Sequence, residues 1–167
     1  RGRGLELAWL DNEQPLLECT PVEIEPLWNL LCEDACFESG WPRERLASDI
    51  PADCQVLGDL NALGQALENI LRNAIRHSPA KGTVRLIARL VETHWHLHIE
   101  DQGPGVPQDQ LEVMFRPFSR LSAARPDGDG FGLGLAIAQR MVTLQGGRIW
   151  AENQHPGLRV TLVLPNV

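Results

Sequence analysis

Apolar residues in this chain recur in two rhythms, one helical and one alternating. Leu60, Leu63, Leu67, Ile70, Leu71, Ala74 and Ile75 form one helical stripe, with Asp59 placed before it as an N-cap. The helix is predicted to end near His77, because Pro79 disfavours the helical conformation at Ser78. A stripe of Ile24, Leu27, Trp28, Leu31 and Ala35 predicts an earlier helix to about Phe37, closed by Gly40-Trp41-Pro42. Thr20-Pro21-Val22-Glu23 reads as its start: a capping hydroxyl, a proline in the first turn and an acid three residues on. Leu133 to Gln145 predicts a third helix, ended by Gly146-Gly147.

The alternating rhythm is clearest at Trp95, Leu97 and Ile99, which face one way while His94, His96 and His98 face the other. Thr83–Val91 and Trp95–Asp101 are predicted as strands joined by a hairpin around Glu92-Thr93. Arg148–Glu152 and Leu158–Leu164 form a second predicted pair, joined through Pro156-Gly157, and Leu46–Ile50 and Cys54–Leu57 are weaker strand candidates. Gln108–Met114 is a short helix candidate. Strands outnumber helices and many are antiparallel neighbours. The expected fold is therefore an α/β (α+β) two-layer sandwich, a mixed and mostly antiparallel sheet with helices on one face and the other face partly wet.

Composition narrows the partners. The chain has 167 residues, 43% hydrophobic and 22% charged, which suits one globular domain with its own core. Fifteen Lys and Arg against 22 Asp and Glu give −7, which disfavours a nucleic-acid binder but leaves room for a local anion site. Cys19, Cys32, Cys36 and Cys54 contain no Cys-x-x-Cys pair, so reduced thiols are expected. No signal peptide and no apolar run near the length of a membrane span is present, so no direct membrane contact is expected of this stretch. Residues 1–20 read as a linker or the frayed end of a preceding helix, and residues 21–167 as the domain.

The chemistry concentrates between two glycine clusters. Asp101-Gln102-Gly103-Pro104-Gly105 ends a strand with a fixed acceptor, and Gly130-Phe131-Gly132-Leu133-Gly134-Leu135 runs into the third helix. Glycines at a helix start expose unpaired N–H groups and the positive end of the helix dipole, which suits a phosphate chain. Phe115-Arg116-Pro117-Phe118 lies between the clusters, as a loop anchor or as the hinge of a lid. Asn69 and Asn73 share one helix face with Arg76 a turn further on; alone, that pattern reads as an ordinary polar face. Three histidines on one strand face could bind a metal, but no carboxylate or cysteine is spaced to complete such a site, and a solvent-facing sheet side is the plainer reading.

Four blocks now stand in order: Asn69-Ile70-Leu71-Arg72-Asn73-Ala74, Asp101-Gln102-Gly103-Pro104-Gly105, Phe115-Arg116-Pro117-Phe118 and Gly130-Phe131-Gly132-Leu133-Gly134-Leu135. They resemble the N, G1, F and G2 boxes of the ATP-binding catalytic domain of two-component sensor histidine kinases, in the Bergerat (GHKL) superfamily. Gly146-Gly147-Arg148-Ile149 and Leu162-Val163-Leu164-Pro165 are also similar to that family's ending. Each block alone is a weak signal; four in this order and spacing make a specific one.

The resemblance implies roles residue by residue. Asn73 matches the asparagine whose side-chain oxygen coordinates Mg²⁺, with Asn69 as its helper. Asp101 matches the acid that accepts from the adenine amino group. Gly103 and Gly105 keep the pocket wall free of side chains, residues 116–131 match the ATP lid, and Gly132 and Gly134 present N–H groups to the phosphates beside Gly130, Phe131, Leu133 and Leu135. Arg76 and His77 stand where the family often has a basic and a ring residue near the phosphates, and Arg120 reaches them from the lid. The γ-phosphoryl group passes to a histidine on a separate dimerisation and phosphoacceptor domain, and from there the pathway leads to a response regulator. None of His77, His94, His96, His98 or His155 has the phosphoacceptor setting, so no residue of this chain is expected to be the acceptor. The isolated domain is expected to be a monomer on the cytoplasmic side, its parent anchored in a bacterial inner membrane.

Two other readings compete. Hydrolysing members of the superfamily, as in the gyrase, mismatch-repair and chaperone branch, carry a glutamate one turn before the metal-binding asparagine. Here that position is Asn69, and the adjacent Glu68 points about 100° away around a helix. The other reading is a docking module whose nucleotide site has decayed, against which the intact blocks argue.

Overall fold

A computed structural model describes residues 17–117 and 134–167. Strand β1 (Thr20–Glu23) leads into helix α1 (Ile24–Ser39). Strands β2 (Leu46–Asp49) and β3 (Gln55–Gly58) follow, then helix α2 (Leu60–His77) and the hairpin of β4 (Val84–Val91) and β5 (His94–Glu100). Helix α3 (Gly134–Leu144) precedes the second hairpin, β6 (Arg148–Asn153) and β7 (Leu158–Pro165). Among the described residues, five strands form one sheet in the order β2-β4-β5-β7-β6. In it β2 runs parallel to β4 and the other neighbours are antiparallel. β1 and β3 form a separate antiparallel ribbon.

The alternation in the strands decides which face meets the helices. Leu86 and Ala88 of β4, Trp95, Leu97 and Ile99 of β5, and Val160, Leu162 and Leu164 of β7 are buried in one cluster. They share it with Leu63, Leu67, Ile70 and Leu71 of α2 and Ile137 and Met141 of α3. Ile24 and Trp28 bring α1 into the same core. Each buried Val, Leu, Ile or Met of this set contributes roughly 1.5–3 kcal/mol, and Ala88 less. The result is the expected two-layer sandwich.

The helix limits follow local chemistry. Asp59 Oδ1 accepts the Ala62 N–H at 2.9 Å and caps α2. At its other end the Ser78 N–H donates to Ile75 O at 3.2 Å and Ser78 Oγ to Ala74 O at 2.9 Å, after which Pro79 stops the helix. Gly40 ends α1 with φ +80°.

Three expectations are revised. Thr20–Glu23 is a strand, not a helix start: it pairs with β3, Val22 is buried against that ribbon, and the Glu23 side chain makes no capping bond. Pro21 is tolerated because this is a ribbon edge. Gln108–Met114 forms two 3₁₀ turns, Gln108–Gln110 and Val113–Phe115, rather than one helix. The far side of the sheet is less wet than expected. His94 is exposed, but His96 and His98 are half-buried, and Thr161 and Val163 are buried.

Candidate functional site

The site is built around the end of β5. Asp101 is only 5% exposed. Its N–H donates to Leu158 O at 3.0 Å, and its Oδ1 accepts from the Gly103 N–H at 2.8 Å and the Leu158 N–H at 3.2 Å. Both side-chain bonds fall on Oδ1, which fixes the carboxylate plane and leaves Oδ2 uncommitted among the described residues. Burial pushes the Asp101 carboxyl above its ordinary range, against the pull of those two N–H groups.

Two glycines allow that arrangement. A Cβ on Gly157, whose φ is +100°, would lie 1.8 Å from Asp101 O, so β7 can start beside Asp101 only with glycine there. A Cβ on Gly103 would lie 2.4 Å from His77 O. Gly103 therefore lets the loop after β5 pack against the end of α2, a demand set by the scaffold itself.

The asparagines meet the other glycine cluster. Asn69 Nδ2 donates to Gln65 O at 2.9 Å, which turns its Oδ1 outward, 3.8 Å from where a Cβ on Gly134 would be. Gly134 opens α3. The asparagine face of α2 and the start of α3 thus lie side by side, though they are far apart in sequence. Asn73 is 7% exposed and its side chain makes no hydrogen bond among the described residues. Its amide atoms are not among the fully buried unpaired ones, so the side chain reaches the surface and is open to a ligand as well as to water. Two amide oxygens are the hard donors Mg²⁺ takes alongside phosphate oxygens and water. Among the described residues no group of three His, Cys, Asp or Glu could hold a metal ion.

Arg76 and His77 occupy the last turn of α2 and are partly exposed. Arg76 sits only about 20° around the helix from Asn69, and it also lines a groove between α1 and α2 with Arg72 and Glu68. Glu68 Oε2 is held by Arg72 Nη2 at 3.2 Å on that outer side. Phe115 is buried and Arg116 exposed. Arg120, Gly130, Phe131, Gly132 and Leu133, with Phe118 and most of the expected lid, lie outside the described residues; Leu135 is buried in the core.

Sequence reasoning missed the supporting residues. Asn153 Oδ1 accepts from the Val106 N–H at 3.0 Å and its Nδ2 donates to Val106 O at 2.8 Å. In the sequence Gly157 reads only as part of a turn. Neither role has a sequence signal, because each partner lies far along the chain. On the far face of the sheet, His98 Nδ1 lies 2.8 Å from Thr161 Oγ1, and the rings of His96 and Trp150 meet edge-on with centroids 6.2 Å apart. Burial lowers both imidazoles first, helped by Arg148 and His94 at His96 and by Arg159 and His96 at His98.

The chain is similar to known proteins. Residues 58–167 match the family model described as histidine kinase-, DNA gyrase B-, and HSP90-like ATPase. The sensor protein PfeS of Pseudomonas aeruginosa is 53% identical over 161 residues, 96% of this chain and 36% of that protein. The chain thus spans about a third of that relative. Among solved structures, the mycobacterial sensor histidine kinase MprB is 31% identical with a TM-score of 0.74, covering 89% of this chain and 97% of that one. Full-length ShkA in complex with AMPPNP is 27% identical with a TM-score of 0.78, covering 97% of this chain and 34% of that one. The chain belongs to the histidine kinase-, DNA gyrase B- and HSP90-like ATPase family, as an ATP-binding domain of the sensor histidine kinase type.

Proposed function

We propose that this domain binds Mg-ATP and donates the γ-phosphoryl group to a histidine on a separate dimerisation and phosphoacceptor domain, within a two-component pathway that ends at a response regulator. The observation that carries the reading combines three features: the buried Asp101 with Oδ2 uncommitted, Asn73 on the same helix face as Asn69, and the start of α3 beside Asn69. Asp101 accepts from the base amino group. Asn73 and Asn69 hold Mg²⁺, which supplies charge neutralisation across the phosphates. Gly134, with Gly130, Phe131, Gly132 and Leu133 before it in sequence, offers N–H groups to the phosphate oxygens, next to Leu135 in the core. Arg76, His77 and Arg120 supply further donors and positive charge.

The chemistry then needs positioning more than a base. A neutral imidazole nitrogen of the acceptor domain attacks the γ-phosphorus, the bond to the bridging oxygen breaks, and ADP leaves with the electron pair. Glu68 is no rival general base, because it is exposed and paired with Arg72 away from the asparagine face. That observation favours phosphoryl transfer over hydrolysis. ShkA, whose structure is with AMPPNP, supports the nucleotide reading by similarity. The parent is inferred to sit in a bacterial inner membrane with this domain on the cytoplasmic side, and the isolated domain to be a monomer.

The test has two stages. Calorimetry should show ATP binding that strengthens with Mg²⁺ and weakens sharply in Asn73→Ala. The domain should then label a separately made phosphoacceptor domain of the same parent from γ-labelled ATP. ATP binding without labelling of that partner would sink the kinase reading, and turnover abolished by Glu68→Ala would replace it with hydrolysis.

A further inference from the structure

The loop from Asp101 to Pro107 carries the base-reading carboxylate, yet it has no regular structure of its own until the 3₁₀ turn at Gln108–Gln110. It is fastened at two points. At its start Asp101 exchanges bonds with Leu158: N–H to Leu158 O at 3.0 Å, and Oδ1 from the Leu158 N–H at 3.2 Å. At its end Val106 exchanges bonds with the Asn153 side chain, N–H to Oδ1 at 3.0 Å and O from Nδ2 at 2.8 Å. Asn153 and Leu158 are register partners, the last rung of the β6–β7 hairpin. One rung therefore holds both ends of the loop.

We propose that Asn153 is the positioning residue for base recognition: its amide holds the far end of the loop so that Asp101 Oδ2 is presented in one place, and base preference depends on it. The inference rests on the reading of Asp101 as the base acceptor. Asparagine suits the task because it offers a donor and an acceptor in one plane on a short stem, matching both backbone groups of one residue. Aspartate would set an oxygen against Val106 O, and alanine would leave both groups of Val106 unpaired. The loop has a matching feature: a Cβ on Gly105, at φ +74°, would lie 2.5 Å from Asn153 Oδ1, so Gly105 makes room for the clamp. A loop held at both ends is ordered before the ligand arrives, so less ordering cost falls on binding.

The experiment compares ATP and GTP affinities, by competition against a fluorescent ATP analogue, for the native domain, Asn153→Ala, Asn153→Asp and Asp101→Asn. Two net hydrogen bonds set the scale, so Asn153→Ala is expected to weaken ATP roughly tenfold. GTP, bound without the base contact, should hardly change, so the ATP-to-GTP preference falls. Asn153→Asp keeps the acceptor for the Val106 N–H and the β6 register, and carries the same test if alanine prevents folding. Hydrogen exchange at the Val106 amide should quicken while exchange in β5 and β7 stays slow. An unchanged ATP affinity, or ATP and GTP falling in parallel, would overturn the inference and leave Asn153 a purely structural residue. Asp101→Asn that still prefers ATP would instead overturn the base reading, and the inference with it.

Discussion

The Asp59 backbone N–H donates to Gln145 Oε1 at 2.9 Å, across 86 positions of the chain. Gln145 lies just past the end of α3, is 8% exposed, and anchors itself by donating Nε2 to Met141 O at 2.8 Å. The cap of the helix that carries the asparagines is thus held from the helix that carries Gly134. Replacing Gln145 by Leu keeps much of the volume but leaves the Asp59 N–H unpaired. The expected loss is about 1–3 kcal/mol, read from urea unfolding. An unchanged midpoint would mean that water serves that N–H equally well.

Asp101 should show a trade between stability and binding. Its carboxyl is pushed above the ordinary range chiefly by burial, so between the two values the folded state holds more protons than the unfolded one. Stability from this group therefore falls as pH rises through that window, and above it the buried charge stays a cost. Asp101→Asn retains an oxygen for the Gly103 and Leu158 N–H groups and removes the charge. The variant should be at least as stable as the native domain at neutral pH, yet lose ATP binding. A variant that is less stable at neutral pH would show that the carboxylate is held by more than these two bonds.

The histidine face predicts acid sensitivity. His96 and His98 are both lowered, mainly by burial, so the unfolded chain binds more protons than the folded one from the ordinary value, ~6.5, down to the lowered values. The stability of the neutral form is full above ~6.5 and is lost as pH falls through that window. Urea midpoints at stepped pH should drop on the acid side of neutrality, and the drop should shrink in a His96→Gln, His98→Gln double variant. An equal drop in both proteins would assign the effect elsewhere.

Two glycines should respond in opposite directions. Gly157→Ala forces a Cβ into Asp101 O at a φ of +100°, and is expected to cost more than about 2 kcal/mol and to abolish ATP binding. Gly64 lies within α2, where an added Cβ meets only Leu27 Cδ1 at 3.8 Å. Gly64→Ala should stabilise the domain by roughly 0.5–1 kcal/mol through helix propensity. Thermal melts of the two variants check both signs.

Legibility in the sequence followed the range of the interactions. α2 could be read from end to end because its stripe, its Asp59 cap and its Pro79 stop are all local. The β5 alternation likewise assigned Trp95, Leu97 and Ile99 to the core. Thr20–Glu23 misled because a cap-like hydroxyl and proline are equally compatible with an edge strand. What decided between them was pairing with β3, 32 or more positions on, as between Glu23 and Gln55.

The same division runs through the site. Residue types and order alone brought out the family's four blocks, and with them Asp101, Asn69, Asn73 and Gly134 as candidates, because each block places particular chemical groups at short spacings. What those groups rest on was decided only by folding: Leu158 and Gly157 beside Asp101, Asn153 on Val106, Gln145 on Asp59, the His77 carbonyl against Gly103. These are single contacts between distant positions, and their residues fit many local settings. A hydrogen bond or a missing Cβ leaves no periodic trace in the chain, so it takes meaning only once the sheet and helices bring its partner within reach.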